Sequence, residues 1–270
     1  VAGEFKGIVD EEHIPRFDIK INSDDASFQY PDLPKSVRNI HIDTQISNTT
    51  GIVEDTEVDI RKLSFMIDQD KFNVTSKITE LMGNPKVSAH VDGRINLANI
   101  SKAYPIDSDL NLKGILNADI STAFDMASVE KKQYENTKTS GTLDLQGFEY
   151  KSDEIPNVVK LDNTKVLFTP KTVELKELKG STGKTDFDIT GTLNNLLGFM
   201  FNDEKVEGKF NLRSNTFSLN DFMMAESTES NKKEATSPPQ VGNTEKIKIP
   251  SFLDCSIAAN ANTVIYDNLT

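Results

Sequence analysis

The chain has 270 residues, with Lys+Arg 30 against Asp+Glu 42, a net charge of -12 and a pI near 4.8. That balance argues against nucleic acid and anionic membrane surfaces as partners, because both would repel it. Hydrophobic residues at 36% leave enough for a thin core, as in a sheet buried on one face. No run approaches the roughly eighteen apolar residues of a membrane span.

Taken in chain order, the predicted elements are mostly strands. Phe17, Ile19 and Ile21 alternate with Asp18 and Lys20, and Asn48-Thr49-Thr50-Gly51 then marks a turn. Phe72 and Val74 lead to another turn, Gly83-Asn84-Pro85, after which Val91, Gly93, Ile95 and Leu97 alternate with Asp92, Arg94 and Asn96. Asp125 to Tyr134 predicts a short helix, with Asp125 as its cap. Gly180-Ser181-Thr182-Gly183 is a turn, and Phe187, Ile189 and Leu193 resume the alternation. Asn194 to Met200 and Ser218 to Met224 can each form a turn or two of helix, on either side of the alternating run Val206, Gly208, Phe210 and Leu212. Successive strand side chains point to opposite faces, so each run has one apolar and one wet face, as in antiparallel sheet.

Ala225 to Lys246 has no apolar periodicity and is dominated by Ser, Thr, Glu, Lys, Pro and Asn, so it reads as a disordered linker. Beyond it, Thr263-Val264-Ile265-Tyr266 opens a new strand. A start at Val rather than Met and an ending in Asp267-Asn268-Leu269-Thr270 suggest a piece of a longer protein.

An internal repeat organises these elements. A shift of 115 residues aligns Val58–Leu97 with Val173–Leu212 without a gap, and ten of the forty pairs are identical, among them Phe72/Phe187, Gly83/Gly198, Val91/Val206, Gly93/Gly208 and Leu97/Leu212. The apolar faces agree throughout, which a one-residue slip would destroy. The predicted organisation is a first β unit over 1–120, a second over 121–224, the linker 225–246, and the opening strands of a third unit over 247–270. Units that stack through their sheets build elongated structures.

Motifs for chemistry are sparse. Cys255 is the single cysteine and reads as a small hydrophobe on a strand. His13, His41 and His90 lie far apart, with no metal-ligand spacing. Gly183-Lys184-Thr185 has Leu178 where a phosphate loop needs glycine, and a strand follows it rather than a helix, so it is a hairpin turn. Asp68-Gln69-Asp70 and Asp107-Ser108-Asp109-Leu110-Asn111 lack the glycine and glutamate of a calcium loop. Three readings remain open: an open apolar groove for lipid, a structural or adhesive β-repeat with a dry core and no lipid cargo, or an enzyme with an unrecognised site. Sequence physics alone favours the dry core, because apolar strand faces are usually packed away.

Several stretches resemble AsmA-like proteins of the Bacteroidetes type. They are Thr137–Phe148; Leu175–Gly180 leading into Asp186–Asn195; Val206–Leu212 ending in Leu219–Met223; and Ala258-Ala259-Asn260-Ala261 with Ile265–Thr270. The resemblance implies a mainly β, elongated repeat of antiparallel amphipathic sheets, curled into an open groove with a few short helices. Such proteins are similar to bridge-like lipid-transfer proteins. The resemblance further implies a periplasmic location, an N-terminal tether in the inner membrane and a role in outer-membrane biogenesis. It implies phospholipid acyl chains as the partner, with neither catalytic residues nor a cofactor. The lining residues it implies are Phe72, Val74, Ile78, Val91, Ile95 and Leu97, with their repeat partners Phe187, Ile189, Leu193, Val206, Phe210 and Leu212.

Overall fold

The computed structural model describes residues 1–11, 13–105, 112–151, 157–169, 172–222, 253–267 and 269. The alternating runs form strands that lie side by side in the order of the sequence, making one 13-stranded sheet. The first six are β1 (Ala2–Lys6), β2 (Arg16–Phe28), β3 (Val37–Asn48), β4 (Glu57–Ile67), β5 (Asp70–Thr79) and β6 (Lys86–Asn96). Next come β7 (Ile115–Asp125), β8 (Lys138–Tyr150), β9 (Val159–Phe168), β10 (Val173–Thr182), β11 (Thr185–Leu193) and β12 (Val206–Ser218), followed by β13 (Leu253–Ile265).

Neighbours from β1 to β12 are antiparallel. The strand expected to open a third unit behaves differently: β13 runs parallel to β12, with Val206 opposite Leu253 and Ser218 opposite Ile265. Parallel neighbours require a long connection, and residues 223–252 lie between the two strands. The linker predicted over 225–246 and the motif Asp107–Asn111 lie outside the described residues. The junction expected between residues 120 and 121 falls inside β7, which pairs without interruption on both sides.

The sheet is open rather than closed into a barrel. Neighbouring strands rotate by roughly 20–25° each, and sheets of more than about ten strands curl rather than stay flat. Bulges add to the twist. Two lie side by side in β2 and β3, where Asp25 and Asn39 take φ of 71° and 49°.

Short helices occupy the strand ends. α1 (Leu97–Ala103) follows β6, and α2 (Met126–Glu130) follows β7 with Asp125 Oδ1 accepting the Ser128 amide at 2.9 Å. α3 (Leu196–Phe201) lies between β11 and β12, and a 3-10 turn, Leu219–Phe222, follows β12. The three predicted helical segments therefore contain helical turns, whereas Leu97, expected to continue its strand, opens α1. The helix start is fixed from two sides: Asn96 Oδ1 caps Ala98 N at 3.1 Å, while buried Asp70, from the start of β5, accepts from Asn96 N and Asn99 Nδ2, each at 2.9 Å.

The repeat is visible in the hairpins. Asp68 and Gly183, equivalent positions, both take positive φ (54° and 55°) at the turns joining β4 to β5 and β10 to β11. The pairing register then departs. Phe72 faces Gly93, yet Gly208, the counterpart of Gly93, faces Leu193 rather than Phe187. From 187 to 193 is an even slip, so the apolar side chains stay on their face.

Candidate functional site: an apolar trough on one face of the sheet

Residues directly opposite each other on neighbouring strands share a face, so the register traces the apolar surface. One row runs from Ile42 through Leu63, Val74, Val91, Ile120 and Gly141 to Phe168. It continues through Val173, Leu193 and Gly208 to Cys255. A second row links Ile95, Leu116, Leu145, Thr164, Leu178, Ile189, Leu212 and Ala259. A third joins Phe72, Gly93, Ala118, Leu143, Val166, Leu175, Gly191, Phe210 and Ile257. Ile78 belongs to a fourth row with Val58, Val87 and Phe124.

The residues implied by the resemblance thus share this one face, with Val206 on the same side of β12 as Gly208. Leu97 is the exception, because it opens α1 instead of continuing β6. At about 4.8 Å per strand, the row from β3 to β13 extends roughly 48 Å, and Val87 to Ile95 spans roughly 27 Å along β6.

This face is open. Of the predicted lining residues on strands, Ile95 and Leu212 are buried, each 9% exposed, while Phe72, Val74, Ile78, Val91, Phe187, Ile189, Leu193, Val206 and Phe210 are half-buried. Among the described residues the buried apolar cluster is small: Val37, Ile67 and Ala103, with Ile40 and Phe65 against it. It forms where α1 folds down on the ends of β3 and β4. At the opposite ends of the strands Phe201 of α3 meets Phe124 with ring centres 5.7 Å apart, and Val129 of α2 is wholly buried. Short helices therefore border the trough without roofing it.

Close backbone approach explains the glycines in the rows. A Cβ at Gly191 would come within 2.5 Å of Phe210 Cδ1, and one at Gly208 within 2.7 Å of the same ring. Phe210 thus lies across two glycines and keeps the floor smooth. A cavity of about 330 Å³ opens beneath α3, with Phe168, Val173, Leu193, Leu196 and Leu197 as its apolar lining and Tyr134, Glu135, Thr137, Thr139, Thr169, Thr172 and Asn194 as its polar rim. Not all of the face is apolar: Thr164, Thr182 and Ser218 bring buried hydroxyl groups to it, and none of these hydroxyls has a hydrogen-bond partner among the described residues.

The other face is polar and laced with cross-strand ion pairs. Arg61 Nε reaches Asp43 Oδ2 at 3.0 Å, Lys77 pairs with Glu57 at 3.2 Å, and Lys165 with Glu177 at 3.7 Å. Hydrogen bonding and charge from Arg61 lower the Asp43 pKa, and the same pairing raises that of Arg61. Such exposed pairs are screened by water and add little to stability.

One constellation escaped the sequence because it exists only in register. His90 Nδ1 lies 2.8 Å from Ser121 Oγ, and His90 Nε2 lies 3.7 Å from Asp92 and 3.8 Å from Asp119. A hydrolytic triad also needs donors aimed at a developing oxyanion. β6 and β7 are each paired on both sides, so their backbone N–H groups are spent in the ladder. His13 and His41 lie elsewhere, against Asp10 and Asp24. No group of three or more His, Cys, Asp or Glu residues suited to a metal ion occurs among the described residues.

Gly183-Lys184-Thr185 forms the hairpin turn expected of it, with Thr182 opposite Thr185. Asp221 Oδ2 accepts from Lys184 N, Thr185 N and Thr185 Oγ1, each at 2.8 Å. Cys255 is half-buried on β13, where burial and then the Asp254 charge raise its thiol pKa.

No protein-family profile matches the chain, and no curated protein or solved structure compared with it matches either.

Proposed function

We propose that this chain is a non-enzymatic AsmA-like β-trough segment that carries or shields phospholipid acyl chains between membranes, in the periplasm and in service of outer-membrane biogenesis. One observation carries the reading: apolar rows cross nearly the whole sheet on a single face, and most of their side chains are only half-buried. A repeat rod with a dry core would bury those rows against a second layer. In this chain most of the lining side chains are only half-buried, beside short bordering helices.

The mechanism is solvation. An acyl chain in water carries a penalty of about 0.8 kcal/mol per methylene, and contact with an apolar floor removes much of it at every point along the row. Non-directional contacts allow sliding, because no position binds so well that the lipid stalls. The polar face keeps the assembly hydrated, and the short helices limit sideways escape.

The test is titration with a fluorescent phospholipid delivered from cyclodextrin. The parent chain should bind it, and the Val74→Asp and Phe210→Asp chains should lose at least about tenfold in affinity while their circular dichroism stays unchanged. Equal binding by all three would refute the trough.

A further inference from the structure

Along the borders of the trough, α3 departs from the repeat. Leu81 and Gly83 in the first unit align with Leu196 and Gly198 in the second. There the two units separate. β6 begins at Lys86, whereas the equivalent stretch, Phe201 to Lys205, stays out of β12, which begins at Val206. The residues released from the strand extend a tight hairpin into a helical turn, Leu196–Phe201, with no charged or polar side chain.

The two sides of that turn differ. Leu196 and Leu197 look inward and line the cavity above Phe168, Val173 and Leu193. Phe199, Met200 and Phe201 look outward and are 40%, 59% and 49% exposed. Phe201 also touches Phe124, which lies in an apolar row, so apolar surface runs unbroken from the outer tip to the trough floor. Backbone groups of the turn are partly satisfied internally: Phe199 N donates to Asn195 O at 2.9 Å and Asn202 N to Gly198 O at 2.8 Å. Tyr134 Oη and Asn195 Nδ2 hold Glu204 at 2.7 and 3.1 Å, anchoring the base of the loop.

We infer that α3 is the trough's contact with a lipid surface, a tip that enters the headgroup boundary of a bilayer and passes acyl chains past Phe201 and Phe124 into the cavity beneath it. This rests on the trough reading above and names its port. Size argues for lipid over protein as the occupant. At about 150–250 Å² per large side chain, the three outward residues expose roughly 300 Å², well below the roughly 800 Å² per partner of a stable protein interface. Charge argues the same way. The tip is neutral while the chain carries -12, so zwitterionic lipid is the surface it suits. Wholly apolar side chains suit the headgroup boundary, where water still reaches the backbone groups that the turn leaves unpaired.

The chain contains no tryptophan, so a single Trp reports its own surroundings. Phe199→Trp is placed at the tip, and Thr190→Trp on the polar face of β11 serves as control. Each is mixed with vesicles of phosphatidylcholine and phosphatidylethanolamine, with and without brominated acyl chains. The tip probe should shift to the blue and be quenched by bromine, and the control should do neither. The exposed pair Phe199→Ser and Met200→Ser, combined in one chain, should lower vesicle co-flotation by about tenfold or more at unchanged circular dichroism. That variant should still load lipid delivered from cyclodextrin while losing loading from vesicles.

Loading from cyclodextrin with an unmoved tip probe would overturn the port and leave the trough standing. A quenched tip on a chain that loads from neither source would uphold the bilayer contact and overturn the trough. Sedimentation showing that the serine pair converts a dimer to a monomer would make the tip a contact between copies and overturn the port.

Discussion

An open trough and a closed core differ most sharply in how they tolerate a charge. Val74 sits mid-row on β5 and is half-buried, whereas Val129 of α2 is 0% exposed. In Val74→Asp the carboxylate can turn into water, and the loss is part of one valine's burial, about 1 kcal/mol. In Val129→Asp the carboxylate has no route to water and no paired cation, a penalty of about 3–5 kcal/mol. Against a total stability of about 5–15 kcal/mol, the first variant stays folded and the second approaches unfolding. Urea titration followed by circular dichroism reads the difference directly. With an m-value of about 3 kcal/mol/M, the two midpoints should lie roughly 1 M apart. A Val74→Asp midpoint as low as that of Val129→Asp would mean that the trough face is sealed, and would refute the reasoning.

Three further predictions rest on single contacts. Thr164 stands between Leu145 and Leu178 with a buried, unpartnered hydroxyl, so Thr164→Val should raise stability by about 1 kcal/mol, read as a higher urea midpoint. Gly191→Ala places a Cβ within 2.5 Å of the Phe210 ring and should cost about 1–3 kcal/mol by the same titration. Two carboxylates should contribute to acid sensitivity. Hydrogen bonds from the Ser128 hydroxyl and amide and from Asn84 lower the Asp125 pKa, and the Asn215 and Thr216 amides lower that of Asp186. A carboxyl group depressed on folding stabilises above its unfolded value and loses that contribution as pH falls through its folded value. Stability should therefore decline as pH drops below about 4, and Asp125→Asn combined with Asp186→Asn should flatten that decline in pH-dependent urea melts.

The parts of the fold legible in the sequence were those with a local signature. The alternation Val91, Gly93, Ile95 placed β6 and its apolar face, and Asp125 followed by helix formers marked α2. Gly183 betrayed its hairpin because a positive φ recruits glycine, yet Asp68 does the same work in the first unit without that cue. Other features had no local sign. The end of β6 at Asn96 depends on Asp70, twenty-six residues earlier, whose carboxylate draws the chain into α1 and removes Leu97 from the row. Alternation points to antiparallel neighbours, so the sequence carried no sign that β13 would run parallel to β12. The even slip between units is likewise invisible, because it preserves the faces that the pattern records. The openness of the trough lay furthest from reach: an apolar strand face reads alike whether a second layer covers it or not.

The central claim is that the half-buried rows hold acyl chains. Native mass spectrometry of the chain purified without detergent, with lipid extraction from the same preparation, tests it most directly. The account predicts bound phospholipid on the parent chain, and its loss from Val74→Asp and Phe210→Asp chains that keep the parent's circular dichroism. A folded parent free of lipid, or lipid retained equally by the aspartate variants, would contradict it.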